Sequence, residues 1–264
     1  MRQFILKHYK FIFIAVAVIC ITYIAGATYI HDYYHADAVA QDALNSDDEV
    51  TVTTEKKGTT VPVTESVVKR YSNPIVFAPN DPSKASKALI FYPGGKVEYT
   101  AYAPLLHELA KNDYVCILVH MPANLAVLNS NAADGLIDKY QAKYPSISKW
   151  YIGGHSLGGA MAASYASKHS NDFTGLYLFA AYSTVDLTDS GLDVYCIYGS
   201  NDEVLNVNKY QTYKSNLPSN TNEFVIDGGC HSYFGSYGMQ KSDGTPDIPA
   251  DEQIEATIDF LTYN

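Results

Sequence analysis

Apolar and polar positions divide the chain into three stretches. Residues 11–30, FIFIAVAVICITYIAGATYI, form an unbroken apolar run of twenty residues. At 1.5 Å per residue such a run matches a bilayer core of about 30 Å, so it predicts a membrane-spanning helix. Residues 31–65 are mixed. Their first part predicts a short juxtamembrane helix, and Asn45-Ser46-Asp47-Asp48 predicts a break. Residues 50–69 alternate β-branched and polar side chains around Lys56-Lys57-Gly58, the pattern of a hairpin. NPIVFA, 74–79, predicts a short strand.

From residue 87 the pattern becomes regular. Apolar runs at 87–93, 113–122, 149–154, 174–183, 192–200 and 222–229 predict strands. Between and after them, 101–112, 130–144, 157–170, 205–216 and 251–264 carry helical spacing. The strands are continuously apolar rather than alternating, so both faces of their sheet must be covered. The expected fold is therefore α/β, a mostly parallel sheet with helices on both faces. Ligand sites in such sheets lie beyond the carboxyl ends of the strands.

Charge sharpens the picture of the first stretch. Residues 1–30 hold Arg2, Lys7 and Lys10 and no acid, while Asp32 and Asp37 follow the apolar run. The positive-inside rule then places residues 1–10 in the cytoplasm, 11–30 in the membrane as a signal anchor, and the rest outside. Ala25-Gly26-Ala27 offers a signal-peptidase site as the alternative, giving a secreted chain. Length favours the anchor. Of the 18 basic residues, 15 remain beyond residue 30, against 28 acidic ones. That balance repels phosphate backbones and excludes nucleic acid as a partner. Cys116, Cys196 and Cys230 show neither disulfide-framework nor metal spacing and are expected as buried small hydrophobes. His31 and His35 stand four apart without an evident third ligand, so no metal is expected.

The strongest chemical signal is Gly154-His155-Ser156-Leu157-Gly158. A buried strand, KWYI, runs into it and an Ala-rich helix leaves it, the setting of a nucleophile elbow. A serine hydroxyl needs a base to accept its proton. Two histidines follow Ser156. His169 sits near the far end of the helix that leaves the elbow, so it is out of reach. His231 follows the last strand on a loop at the carboxyl edge and is the expected base. Asp202, ending YCIYGSND after the strand at 192–200, is the expected carboxylate that orients it. Glu203 is its nearest rival, and Asp227 lies beside the histidine loop. For a developing oxyanion, the backbone N–H of Leu157 is one expected donor. Gly95, then Lys96, in the loop after the strand at 87–93 is the second. Tyr99, Tyr102, Tyr233 and Phe234 flank these loops and are candidates to line an apolar acyl pocket.

Through FYPGGKVEYTAYAPL, WYIGGHSLGGAMAASYASKH, IYGSND and GGCHSYFGSYG, the chain resembles the α/β-hydrolase superfamily. More narrowly it resembles bacterial membrane-anchored carboxylesterase and dienelactone-hydrolase-like proteins. The resemblance implies a catalytic domain over residues 66–264, following a 31–65 juxtamembrane segment and linker. It also implies a Ser156–Asp202–His231 triad, oxyanion donors at Leu157 and near Gly95, and a protein on the surface of a Gram-positive cell. The expected activity is hydrolysis of small acyl esters through an acyl-serine, without metal or organic cofactor. Thioesterase, amidase or acyltransferase chemistry on the same residues is the alternative, as is a silent hydrolase fold acting as a surface binding module. Only VDLTDSGLD separates two of the strands where many relatives insert a lid, so an open, shallow site without a cap is expected.

Overall fold

The computed structural model describes residues 2–54 and 74–263. They form two units, Met1–Tyr33 and Tyr34–Asn264. The first is helix α1, Arg2–His31. Its segment Phe11–His31 is long and apolar enough to cross a membrane.

The second unit is built on an eight-stranded sheet. Its strands are β1 (Val50–Thr54), β2 (Ile75–Pro79), β3 (Lys87–Tyr92), β4 (Tyr114–Leu118), β5 (Lys149–His155), β6 (Gly175–Phe179), β7 (Asp193–Gly199) and β8 (Asn222–Ile226). Their order is β1-β2-β4-β3-β5-β6-β7-β8. β1 and β2 pair antiparallel, β2 pairs antiparallel with β4, and every pairing from β4 to β8 is parallel. The helices of this unit are α2 (Ala38–Asp42), α3 (Ala103–Ala110), α4 (Leu136–Lys143), α5 (Leu157–Ala166), α6 (Val207–Tyr213) and α7 (Ala250–Tyr263).

Alternation along each buried strand makes two cores. Ala88, Ile90 and Tyr92 of β3 join Val115 and Ile117 of β4 and Leu176 and Leu178 of β6 on the face covered by α4 and α5. Leu89, Phe91, Cys116, Tyr177 and Phe179 point the other way, toward α3 and α7. Successive side chains of a strand point to opposite faces, so an apolar run without polar breaks is what a doubly covered sheet requires. Much of the tyrosine content is structural. Tyr114 and Tyr177 share a hydrogen bond of 2.8 Å, and Tyr151 stacks on Tyr177 at 4.7 Å.

The start of the compact unit differs from the sequence-based expectation. Residues 34–54 belong to the compact unit and not to a linker before residue 66. The reason is pairing: Thr54 lies opposite Ile75 and Val50 opposite Pro79, which makes β1 an edge strand of the sheet. Among the described residues the partner of 50–54 is 75–79; the second half of the hairpin expected over 50–69, with its turn at Lys56-Lys57-Gly58, lies outside the described residues. The expected short connection is present: no helix occurs between Phe179 and Asp193, where a cap would be inserted.

Candidate active site

β5 delivers the chain into Ser156, and α5 begins at Leu157. Between them Ser156 adopts φ 52° and ψ −122°. Side chains with a Cβ rarely occupy that region, so the serine is held in a strained turn at the rim of the sheet. The glycines beside it answer a steric demand. A Cβ on Gly154 or on Gly158 would collide with the carbonyl of Tyr92, because the elbow passes directly against the end of β3. The Ser156 N–H is bonded to Phe179 O at 2.9 Å, which pins the turn to β6.

β7 and β8 bring the other two residues to the same rim. Ser200 N donates to Ile226 O at 2.9 Å and Asn201 N to Gly229 O at 2.8 Å, so the loops after these strands are stitched together. A Cβ on Gly199 would strike the Gly229 backbone, which explains the glycine at that approach. Asp202 is fixed from its own loop: Oδ1 accepts Val204 N at 2.9 Å and Leu205 N at 2.7 Å. Its Oδ2 lies 2.8 Å from His231 Nδ1, with both side chains 1 % exposed. With Nδ1 donating to the carboxylate, Nε2 presents a lone pair. That Nε2 is buried and has no hydrogen-bond partner. Ser156 and His231 line one cavity of 400 Å³. Glu203 and Asp227, the rival carboxylates, are exposed.

On the donor side, the Leu157 amide starts a helix and has no acceptor within it. Gly95 abuts this residue closely enough that an added Cβ would lie 2.9 Å from Leu157 Cδ2. Lys96 does not fit the role of second donor. Its N–H is already bonded to Asn124 O at 2.8 Å, in a turn where Lys96 itself has φ 59°. Gly95 is therefore the better placed of the two.

The four aromatic candidates do not line the cavity. Its walls combine aliphatic side chains, among them Leu157, Met161, Val204 and Leu205, with Tyr182, Thr184 and Asn206. Phe234 is buried against His155 and Phe179. Tyr99 stacks on His120 at 4.3 Å, and Tyr233 faces a separate groove. Tyr102 is fully buried; its hydroxyl accepts Gly94 N–H at 3.0 Å and lies 2.8 Å from His155 Nδ1. Burial first, and then the neighbouring His231, hold the His155 pKa well below the ordinary 6.5, so this imidazole is neutral. Its ring centroid is 4.4 Å from that of His231. The residue beside the nucleophile is thus a buried spacer under the base loop.

Two further residues hold His231 in place and carried no signal in the sequence. Asp243 accepts Ser232 N at 2.8 Å, Ser232 Oγ at 2.6 Å and His231 N at 3.3 Å, capping the short turn that follows the histidine. Gln253 of α7, fully buried, accepts Cys230 N and donates to Cys230 O, both at 2.9 Å. Cys116, Cys196 and Cys230 are free and buried. Burial pushes the Cys196 and Cys230 thiols up to about 12, which leaves them unreactive. Among the described residues no three His, Cys, Asp or Glu side chains come together as a metal site.

Residues 88–255 match the alpha/beta hydrolase family, and the chain belongs to that family. Among solved structures, it is similar to a protein described as a predicted CIB-like hydrolase from Thermoplasma acidophilum. The two are 15 % identical with a TM-score of 0.54, over 81 % of this chain and 100 % of that one. At that identity the likeness concerns the fold. No curated protein matches the sequence.

Proposed function

We propose that this member of the alpha/beta hydrolase family is a membrane-anchored serine esterase, acting outside the cytoplasm on carboxylic esters with small, uncharged acyl groups. One observation carries the reading: a buried His231–Asp202 pair, its Nε2 without a hydrogen-bond partner, borders the same cavity as a serine held in a strained turn. His155 Nε2 is likewise without a partner, but that ring is bonded to Tyr102 and not to a carboxylate, and it does not line the cavity.

Ser156 Oγ attacks the acyl carbon while His231 Nε2 takes its proton. Asp202 keeps the imidazole oriented and favours the imidazolium that forms. The amides of Leu157 and Gly95 stabilise the tetrahedral oxyanion. Collapse expels the alcohol, which receives the proton from His231, and a water activated by the same nitrogen then releases the acid. The uncharged, largely aliphatic cavity wall suits a neutral acyl chain, and the short 180–192 connection carries no helical cap. Little interfacial activation is expected. The apolar helix supplies the anchor, and Arg2, Lys7 and Lys10 before it support an outside location for the hydrolase unit.

The test is covalent labelling of the full-length protein in detergent with a fluorophosphonate, followed by a chromogenic ester panel of increasing acyl length. Labelling in the wild type, absent in Ser156→Ala, with turnover of short esters is expected. Labelling that persists in Ser156→Ala excludes Ser156 as the nucleophile. No labelling in either protein favours a binding module. Turnover of thioesters or amides in preference to esters redirects the substrate class.

A further inference from the structure

The hydrolase unit begins with a strap that joins the two sides of the candidate site. Tyr34 N donates to Lys96 O at 2.8 Å, and Glu98 N donates to Tyr34 O at 2.8 Å, an isolated parallel bridge between Tyr34 and Val97. This holds the loop that carries Gly95. The same residue reaches the loop that carries His231. Its hydroxyl accepts Lys241 N at 2.8 Å, and its ring lies 5.8 Å from that of Tyr237. The following residues repeat the pattern: Ala36 N donates to Glu98 Oε2 at 3.1 Å and Asp37 N to Ser236 O at 2.9 Å.

We propose that Tyr34 is a positioning residue for the hydrolysis reaction, setting the distance between the oxyanion loop and the base loop. The proposal rests on the Ser156–His231 reading above. The physical argument is one of connectivity. Gly95 and His231 stand on loops from opposite parts of the chain, after β3 and after β8, and each loop must be placed to within a fraction of an ångström for proton transfer and oxyanion stabilisation to coincide. Within the base loop, Asp243 and Gln253 fix His231 locally. Tyr34 bonds both loops at once, through its backbone to one and through its side chain to the other. Tyr34 is half-buried, and its ring packs at the margin of the core that holds Tyr237. Loss of the hydroxyl alone keeps that packing and acts on the relation between loops. A consequence concerns the anchor: a chain cleaved at Ala25-Gly26-Ala27 retains this strap, whereas one cleaved beyond Asp37 loses it.

The experiment compares wild type, Tyr34→Phe and Tyr34→Ala as full-length proteins in detergent. Fluorophosphonate labelling is followed to completion to give an amplitude and a rate constant, alongside kcat and KM for a short ester and thermal unfolding. Tyr34→Phe keeps the ring and the backbone bridge and loses only the bond to Lys241. The expected order of labelling rate and of kcat is wild type, then Tyr34→Phe, then Tyr34→Ala. The alanine variant should be slower by about 10- to 100-fold, with full amplitude and KM within about twofold. Wild-type rates in both variants overturn the proposal and leave the esterase reading standing. So does a loss of amplitude or of thermal stability with an unchanged rate per labelled site, since that is a purely structural role. If Tyr34→Ala does not fold, Tyr34→Phe decides alone. A wild type that never labels removes the esterase reading, and this proposal with it.

Discussion

His231 Nδ1 and Asp202 Oδ2 are 2.8 Å apart, in a pocket that leaves each side chain 1 % exposed. A carboxylate buried this deeply is held by the Val204 and Leu205 amides on one oxygen and by the imidazole on the other. Its charge is spent on fixing one tautomer of one ring.

Asp202→Asn keeps the shape and removes that preference. The amide is able to present its NH₂ to Nδ1, which selects the tautomer with the proton on Nε2. The variant should fold normally and lose about 10³- to 10⁴-fold in kcat on a short ester. Steady-state kinetics check this; a loss under tenfold would assign the orienting role to another carboxylate.

The strain at Ser156 is separable from its chemistry. Ser156→Ala and Ser156→Gly both remove the hydroxyl, but only glycine relaxes at φ 52°. Strain of about 1–3 kcal/mol, less the greater unfolded-state entropy of glycine, should leave Ser156→Gly about 1 kcal/mol more stable than Ser156→Ala. Urea unfolding of the two inactive variants measures the difference.

Asp243 acts on the base without touching substrate. Asp243→Ala strands the amides of Ser232 and His231 and should cost about 2 kcal/mol in stability. It should also lower kcat by about 10- to 100-fold, because the turn bearing His231 loses its cap. Paired urea unfolding and ester kinetics check both effects.

The edge of the sheet carries a pH signature. Backbone bonds from Val50 and Glu49 lower the Asp47 pKa from 3.8 to about 2, and His107 lies 2.9 Å from the same carboxylate. A depressed pKa stabilises the fold above the ordinary value, and that contribution disappears as the pH falls through about 2. Asp47 is 38 % exposed, so screening limits the effect. Asp47→Ala should be less stable than wild type by about 1 kcal/mol at neutral pH. The gap should close between pH 3.8 and about 2, as followed by urea midpoints.

The parallel core was legible because buried strands must be apolar on both faces, which separates KALIFY or DVYCIYG from helix patterns. The meeting of Asp202 with His231, beside a cavity that Ser156 lines, was legible for a different reason: each of the three stands at a strand's carboxyl end, and strand order constrains which loops meet. What sequence concealed depends on partners distant in the chain. The local alternation of 50–69 does not reveal that β1 pairs with 75–79. Sequence placed Lys96 second to Gly95 as a donor but could not show that its amide is bonded to Asn124. The aromatics near the loops were natural pocket candidates, yet Tyr102 and Phe234 are consumed by the core and the cavity takes its aromatic side from Tyr182. Asp243, Gln253 and Tyr34 belong to no motif; only the folded chain brings them to the site loops.

The most direct measurement is acid-quenched mass spectrometry of the full-length protein during turnover of p-nitrophenyl acetate. One acetyl group should appear transiently on the peptide bearing Ser156, rising with the nitrophenol burst and absent in Ser156→Ala. Turnover that proceeds with no acyl group on that peptide, or with the group on another residue, would contradict the account.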